Sequence, residues 1–239
     1  IPGGGWRGAD KNLMLGEMAE FANAGYVVAS IYYRSSAQGH YPDQLLDVKT
    51  AVRFLRANAQ KYEIDPERVG VFGRSAGGHL SAMMAMNQDG FDGEEWAGYS
   101  SEIQASCDMF GPVDVRALME GEEARFSDPN FRWHRLEDTH GGALIGGDPA
   151  TMKERAELAS PVNMVNPKMC PLQILHGDND PLVPIEKSSE VLYQKIVSAG
   201  MEDRVEFYTF PGAGHGSREF FQDSVKKLQI EFFDRYLKR

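Results

Sequence analysis

The pentapeptide Gly73-Arg74-Ser75-Ala76-Gly77 lies directly between a short apolar run, Arg68–Gly73, and a helix-forming run that opens at Ala76. A serine on such a strand-to-helix turn would present its hydroxyl at the carboxyl end of the strand. Glycines two residues to either side remove side chains that would collide across so tight a bend. A serine hydroxyl is a poor nucleophile near neutral pH, so it needs a base within hydrogen-bond reach and a third group to orient that base. Of the six histidines, His215 has the most suitable surroundings, because it follows the last apolar run in FPGAGHGS with glycines on both sides. His79 sits one turn into the helix behind Ser75 and reads as a packing residue. His176 ends a strand-like run, and His134 and His140 fall in a long connection. For the orienting acid, HGDNDPLVP offers two carboxylates, Asp178 and Asp180, just after another strand-like run. A nucleophile, a base and an acid of these types point to acyl transfer through a covalent acyl-enzyme.

These groups need a scaffold, and the hydrophobic pattern supplies one. Tyr26–Tyr33 is β-branched and aromatic and reads as a buried strand, as do Arg68–Gly73, Ile103–Gly111, Leu172–Gly177 and Val205–Gly212. Helical spacing recurs between them. It is seen in Leu15, Met18, Ala19 and Ala22, in Leu45, Val48, Val52 and Leu55 behind Pro42, near Ile185–Ala199, and in Phe221, Val225, Leu228, Phe232 and Tyr236. Strand and helix in alternation predict an α/β fold, a mostly parallel sheet covered on both faces. One domain is expected over 1–239. The segment 112–171 interrupts the rhythm with a long polar and aromatic connection and one helix after Asp148-Pro149, and it reads as a cap over the strand ends. On the second helix, Asp47, Arg53 and Arg56 read as a solvated or salt-bridged face.

The motifs also carry a family likeness. H-G-x-x-D-x-x-V-P over His176–Pro184 resembles the acid loop of α/β-hydrolase esterases, in which the second carboxylate holds the histidine. By that resemblance Asp180 is the triad acid and Asp178 a turn residue. The chain order Ser75, Asp180, His215 is that fold's order as well. The opening Pro2-Gly3-Gly4-Gly5-Trp6 resembles the H-G-G-G-W loop of hormone-sensitive-lipase-like and carbohydrate-esterase-like members, including acetylxylan and feruloyl esterases. The resemblance implies an oxyanion hole formed by the backbone N–H groups of Gly4, Gly5 and Ala76. Where the family usually has histidine, this chain has Pro2, and a side chain that helps hold the loop is lost. In this fold the loop follows a strand lying between those of Tyr26–Tyr33 and Arg68–Gly73, so a strand upstream of Ile1 is expected.

Other residues suggest a substrate pocket. Trp6 lies in the glycine loop and Arg74 beside the nucleophile. His40 and Tyr41 follow a strand-like run in SAQGHYPDQ and either line the pocket or shape the loop, and Phe131, Trp133 and His134 either offer ring surface in the cap or pack on one another. The family resemblance, not the pocket, implies the expected activity: a serine carboxylesterase acting on short-chain or hydroxycinnamoyl esters, with esters of carbohydrates among the candidates. An amide hydrolase such as an aryl formamidase or a peptidase, or a non-catalytic binding protein of the same fold, are the alternatives. No metal or organic cofactor is expected, because the two cysteines and six histidines form no ligand-spaced cluster. The net charge of −10, with no basic run interleaved with aromatics, argues against nucleic acid. No apolar stretch is long enough to span a bilayer; the compartment is left open, with the cytoplasm favoured and any signal peptide expected upstream of Ile1. Oligomeric state is left open.

Overall fold

A computed structural model of the chain describes residues 1–238. In chain order the elements are α1 (Leu15–Asn23), α2 (Asp43–Ala57), α3 (Ala59–Tyr62), β1 (Gly70–Arg74), α4 (Ala76–Ala85), β2 (Ala105–Met109), α5 (Val115–Glu123), α6 (His140–Ile145), α7 (Lys153–Leu158), β3 (Leu172–Gly177), α8 (Ser189–Ser198), β4 (Val205–Phe210) and α9 (Asp223–Leu237). The four strands form one parallel sheet in the order β1-β2-β3-β4. The register places Gly73 beside Asp108, Asp108 beside Ile174, and Ile174 beside Phe207.

Alternation along β2 explains why helices cover both faces. Ala105, Cys107 and Met109 pack with Phe21 of α1 and with Val225, Phe232 and Phe233 of α9. Ser106 and Asp108 point the other way, and the Ser106 hydroxyl donates to the Ser81 carbonyl of α4. On that second face Leu80, Met83 and Met84 of α4 join Val48 and Val52 of α2 and Leu192 and Ile196 of α8. α4 is buried along its whole length, and this fixes the turn that precedes it against the sheet. Among the described residues no helix is long and apolar enough to cross a membrane.

Three expectations are corrected. Tyr26–Tyr33 is extended but joins no ladder, and Val27 and Tyr32 are exposed. Among the described residues no strand pairs with it. An apolar cleft lined by Val28, Ile31, Val52, Val71 and Phe72 separates it from β1. The side chains alone gave it a strand's pattern. The long connection after β2 holds three α-helices, α5, α6 and α7, where the sequence reading expected one. Its first helix is capped by Asp114, whose carboxylate accepts from the N–H groups of Arg116 and Ala117. On α2 the salt-bridged reading holds for Asp47, which pairs with Arg34, and for Arg53, but Arg56 is not solvated, and both arginines are buried. Arg53 pairs with Asp92, and Arg56 donates to the carbonyls of Pro66 and Ser100 at 2.8 and 2.6 Å. Both therefore tie neighbouring loops to α2.

Asp108 is fully buried, and burial pushes its carboxyl up to about 6 against the opposing pull of His176 and the Gly111 N–H. Its Oδ1 accepts from that N–H at 2.8 Å, while Oδ2 has no partner among the described residues. Because the folded state holds this proton more tightly than the unfolded state, the group costs stability as pH rises from about 4 to about 6. Asp108→Asn should therefore gain stability relative to the parent as pH rises from 4 to 8, on the order of 3 kcal/mol. Paired thermal melts at several pH values would show it. A difference that stays flat with pH would contradict the assignment.

Candidate active site

Three loops leave the carboxyl ends of β1, β3 and β4 and converge, which is where open α/β sheets place their ligands. Ser75 links β1 to α4 at φ 54° and ψ −120°, a conformation L-residues rarely adopt. The surroundings impose it. A β-carbon on Gly73 would strike the Gly77 backbone, and one on Gly77 would strike the carbonyls of Ile1 and Pro2. The Ser75 N–H donates to the Met109 carbonyl at 2.9 Å, pinning the turn to the end of β2.

Ser75 Oγ lies 2.8 Å from His215 Nε2, and His215 Nδ1 lies 2.7 Å from Asp180 Oδ2. With Asp180 ionised, Nδ1–H donates to it and Nε2 is left to accept the serine proton. The ring of Phe110 packs edge-on against the imidazole at 4.9 Å between centroids. Asp180 is itself held in place, since its Oδ1 accepts from the N–H groups of Leu182 and Val183 at 2.9 Å each. Burial alone would raise this carboxyl, but the His176 ring, with Nε2 3.4 Å from Oδ2, and hydrogen bonds from His215 and the Val183 N–H outweigh it and hold the group well below the usual carboxylate range. His176 is locked in turn between Ser189 Oγ and the Val183 carbonyl, at 2.6 and 2.9 Å. Asp178 accepts from the Gly212 N–H at 2.6 Å and so bridges the acid loop to the turn after β4.

The glycine loop lies on the other side of Ser75. Gly3, Gly4, Gly5 and Ala76 line one cavity of about 710 Å³ with Ser75 and His215. Positive φ at Gly4, Gly5 and Trp6, of 136°, 57° and 56°, bends this backbone toward the serine. Trp6 is buried, and its indole N–H donates to His79 Nδ1 at 3.2 Å. His79 passes the constraint on, with Nε2–H donating to the Ala159 carbonyl at 2.7 Å. Burial pushes His79 down to about 4, so it stays neutral and keeps this tautomer at ordinary pH.

The model for the BD-FAE family matches residues 1–196. The chain belongs to the BD-FAE family. Its fold is the α/β-hydrolase fold, and the chain is similar to a truncated carbohydrate esterase from gut microbiota at 32% identity and a TM-score of 0.86, covering all of this chain and 85% of that one. A bifunctional GH43-CE protein of Bacteroides eggerthii has 27% identity and a TM-score of 0.85 over 98% of this chain and 30% of that one. Among curated proteins, Esterase LipC of Mycobacterium tuberculosis is 30% identical over 219 residues, 90% of this chain and 51% of the relative. The chain spans about half the length of the curated relatives it matches.

Within this BD-FAE chain the suggested pocket residues divide sharply. Trp6, Arg74, Phe131 and Trp133 line the cavity that holds Ser75. The Arg74 guanidinium, however, is committed to Glu17 at 3.1 Å and to the Leu13 carbonyl at 2.6 Å. His40, Tyr41 and His134 do not line it. His40 bonds the Ala143 carbonyl at 3.0 Å against Gly146, Tyr41 is core beneath Phe91, and His134 turns outward to the Phe126 carbonyl. Position after a strand-like run could not show that the cap covers the first two. The cavity also contains Phe110, Glu122, Arg125, His140 and Leu182, which the motifs did not flag. Phe110 had a signal, since it lies just past a strand end, but Glu122 and His140 come from the cap, where spacing says nothing about contact.

Asp180→Asn should keep the geometry while presenting the wrong histidine tautomer to Ser75, so kcat on a small ester should fall by about 10⁴. Steady-state kinetics and a circular-dichroism spectrum would separate this from misfolding. A loss below tenfold in a folded variant would remove Asp180 from the role of orienting acid.

Proposed function

We propose that the chain is the catalytic unit of a serine carboxylic-ester hydrolase. The observation that carries the reading is the unbroken hydrogen-bonded line from Ser75 Oγ through His215 to the buried Asp180, facing a glycine-lined backbone. Ser75 Oγ attacks the ester carbonyl carbon while His215 Nε2 takes its proton. Charge collects on the former carbonyl oxygen, where the N–H groups of Gly4, Gly5 and Ala76 receive it; one such donor is worth about 3–4 kcal/mol. Ala76 lies in the first turn of the ten-residue α4, so the helix dipole adds to that field. Collapse of the tetrahedral intermediate breaks the bond to the leaving alkoxide, which takes the proton from His215. Water then adds to the acyl-enzyme by the same route, with His215 again as base, and releases the acid and the free serine. Asp180 remains ionised and supports the imidazolium.

The favoured substrate is a short-chain or hydroxycinnamoyl ester, including esters of carbohydrates. The cavity's size and its Phe131–Trp133 wall support this reading, together with the likeness to a protein named as a carbohydrate esterase. The Trp133 ring is flanked by the guanidinium groups of Arg7 and Arg132 at 5.3 and 5.7 Å, so the wall offers charge as well as ring surface.

Hydrolysis of p-nitrophenyl acetate through octanoate, methyl ferulate, an acetylated xylo-oligosaccharide and an aryl formamide would test the proposal. Turnover of esters is expected, falling by about 10⁶ in kcat in Ser75→Ala. Turnover persisting in that variant would rule out the nucleophile, and a formamide turned over faster than every ester would move the chain to amide chemistry.

A further inference from the structure

The glycine loop opens at Pro2, yet its backbone is far from free. Four contacts hold it, and two of them come from the segment between β2 and β3. The Tyr33 hydroxyl donates to the Pro2 carbonyl at 3.0 Å, and Trp6 is anchored on His79. Arg7 Nη2 donates to the Thr139 carbonyl at 2.9 Å and also to the Asp138 carbonyl. Finally, the His140 ring lies so close over Gly5 that a β-carbon there would collide with its Cδ2–Nε2 edge.

The orientation of His140 is itself fixed. Nδ1 lies 2.9 Å from Oε1 of Glu122, a buried side chain on α5. The same carboxylate accepts from the backbone N–H groups of His140 and Gly141 at 3.0 and 3.3 Å, so ring and backbone are gripped by one group. Trp133 closes the other side, edge-on at 4.4 Å between centroids. With Nδ1–H spent on Glu122, Nε2 faces the cavity over Gly5, where no protein group of the described residues bonds it.

We propose that the Glu122–His140 pair is a positioning device for the oxyanion loop, a clamp reaching from the cap that holds the Gly4 and Gly5 N–H groups in the orientation the developing oxyanion requires. The inference rests on the esterase reading above. Donors of this kind act through preorganisation, and a loop free to drift by about 1 Å loses on the order of a hundredfold in rate. His140 is therefore a positioning residue, acting through Gly5. The clamp predicts a loss in the chemical step that does not depend on the size of the ester. A side chain that only shaped the pocket would change KM for bulky esters and leave small ones alone.

The experiment compares the parent protein, His140→Ala, His140→Asn and Ser75→Ala on p-nitrophenyl acetate and methyl ferulate, with inhibition by a small trifluoromethyl ketone. Attack of Ser75 on that ketone places an oxyanion in the same hole. His140→Ala should lower kcat by about ten- to a hundredfold on both esters with KM changed less than threefold, and should weaken the ketone by the same factor as kcat/KM. Asparagine keeps an N–H for Glu122 and a flat amide over Gly5, so His140→Asn should recover most of the loss. Unchanged kcat on p-nitrophenyl acetate in His140→Ala, or a loss confined to KM for methyl ferulate, would overturn the clamp. If His140→Ala fails to fold, the asparagine variant decides, because the clamp requires near-parental kcat and ketone affinity from it and a fall of tenfold or more would refute the idea. Activity surviving in Ser75→Ala would instead strike the esterase reading, so the two failures are distinguishable.

Discussion

The turn at Ser75 is the constraint on which the rest of the site depends. A left-handed φ at a residue with a side chain costs on the order of 1–3 kcal/mol, and it persists only where the surroundings leave no alternative. Here β1 enters a sheet paired along its length, α4 leaves fully buried, and the two meet with no space at Gly73 or Gly77 for a side chain. The Met109 carbonyl takes the serine N–H, so relaxing the turn would break a bond to the neighbouring strand. The strain is held by the packing of two core clusters, one on each face of the sheet.

From that turn the other groups follow by geometry. Parallel strands in the order β1-β2-β3-β4 bring every carboxyl end to the same edge. The loop after β3 places Asp180 and the loop after β4 places His215 within reach of a serine after β1. Distance in sequence is irrelevant, because the sheet register decides it. Asp180 also shows how a buried carboxylate stays ionised. Two backbone N–H groups and His215 supply donors that, with the His176 ring alongside, more than offset desolvation, whereas Asp108, with one donor and an oxygen unpartnered among the described residues, goes the other way. Two aspartates on adjacent strand ends thus differ in proton affinity through their count of donors.

What could be read in the chain follows the range of the forces involved. The G-x-S-x-G turn, the β3 and β4 runs and the closing helix are local patterns, and local sterics and periodicity suffice to find them. Tyr26–Tyr33 failed because a strand is defined by a partner, and a run of β-branched and aromatic residues cannot report whether a backbone lies beside it. Arg56 failed similarly, and Arg53, salt-bridged as that reading allowed, is buried as well. Their heads are buried against carbonyls and a carboxylate from loops 10 to 44 residues away, which α2 alone does not reveal. His40 and Tyr41 looked like pocket residues by position, but Leu144 and Ala143 of α6 cover them, with the Tyr41 N–H donating to the Leu144 carbonyl at 2.8 Å. Contacts made by the cap lie beyond any motif.

The cap also changes what the glycine loop is. Three glycines in a row carry the largest conformational entropy a chain can have, and backbone donors are useful against a developing charge only if they need not reorganise. The two requirements conflict unless something outside the loop fixes it. In this chain the fixing groups come from three directions: Tyr33 from the extended segment, His79 from the helix behind Ser75, and Arg7's carbonyl partners and His140 from the cap. A proline at position 2 can then stand without a polar side chain, since it restricts the backbone at the loop's start while the side-chain work is distributed among neighbours. It follows that residues 122–140 are under two demands at once, forming the wall of the cavity and stiffening its floor. Substitutions there that alter selectivity will alter rate as well.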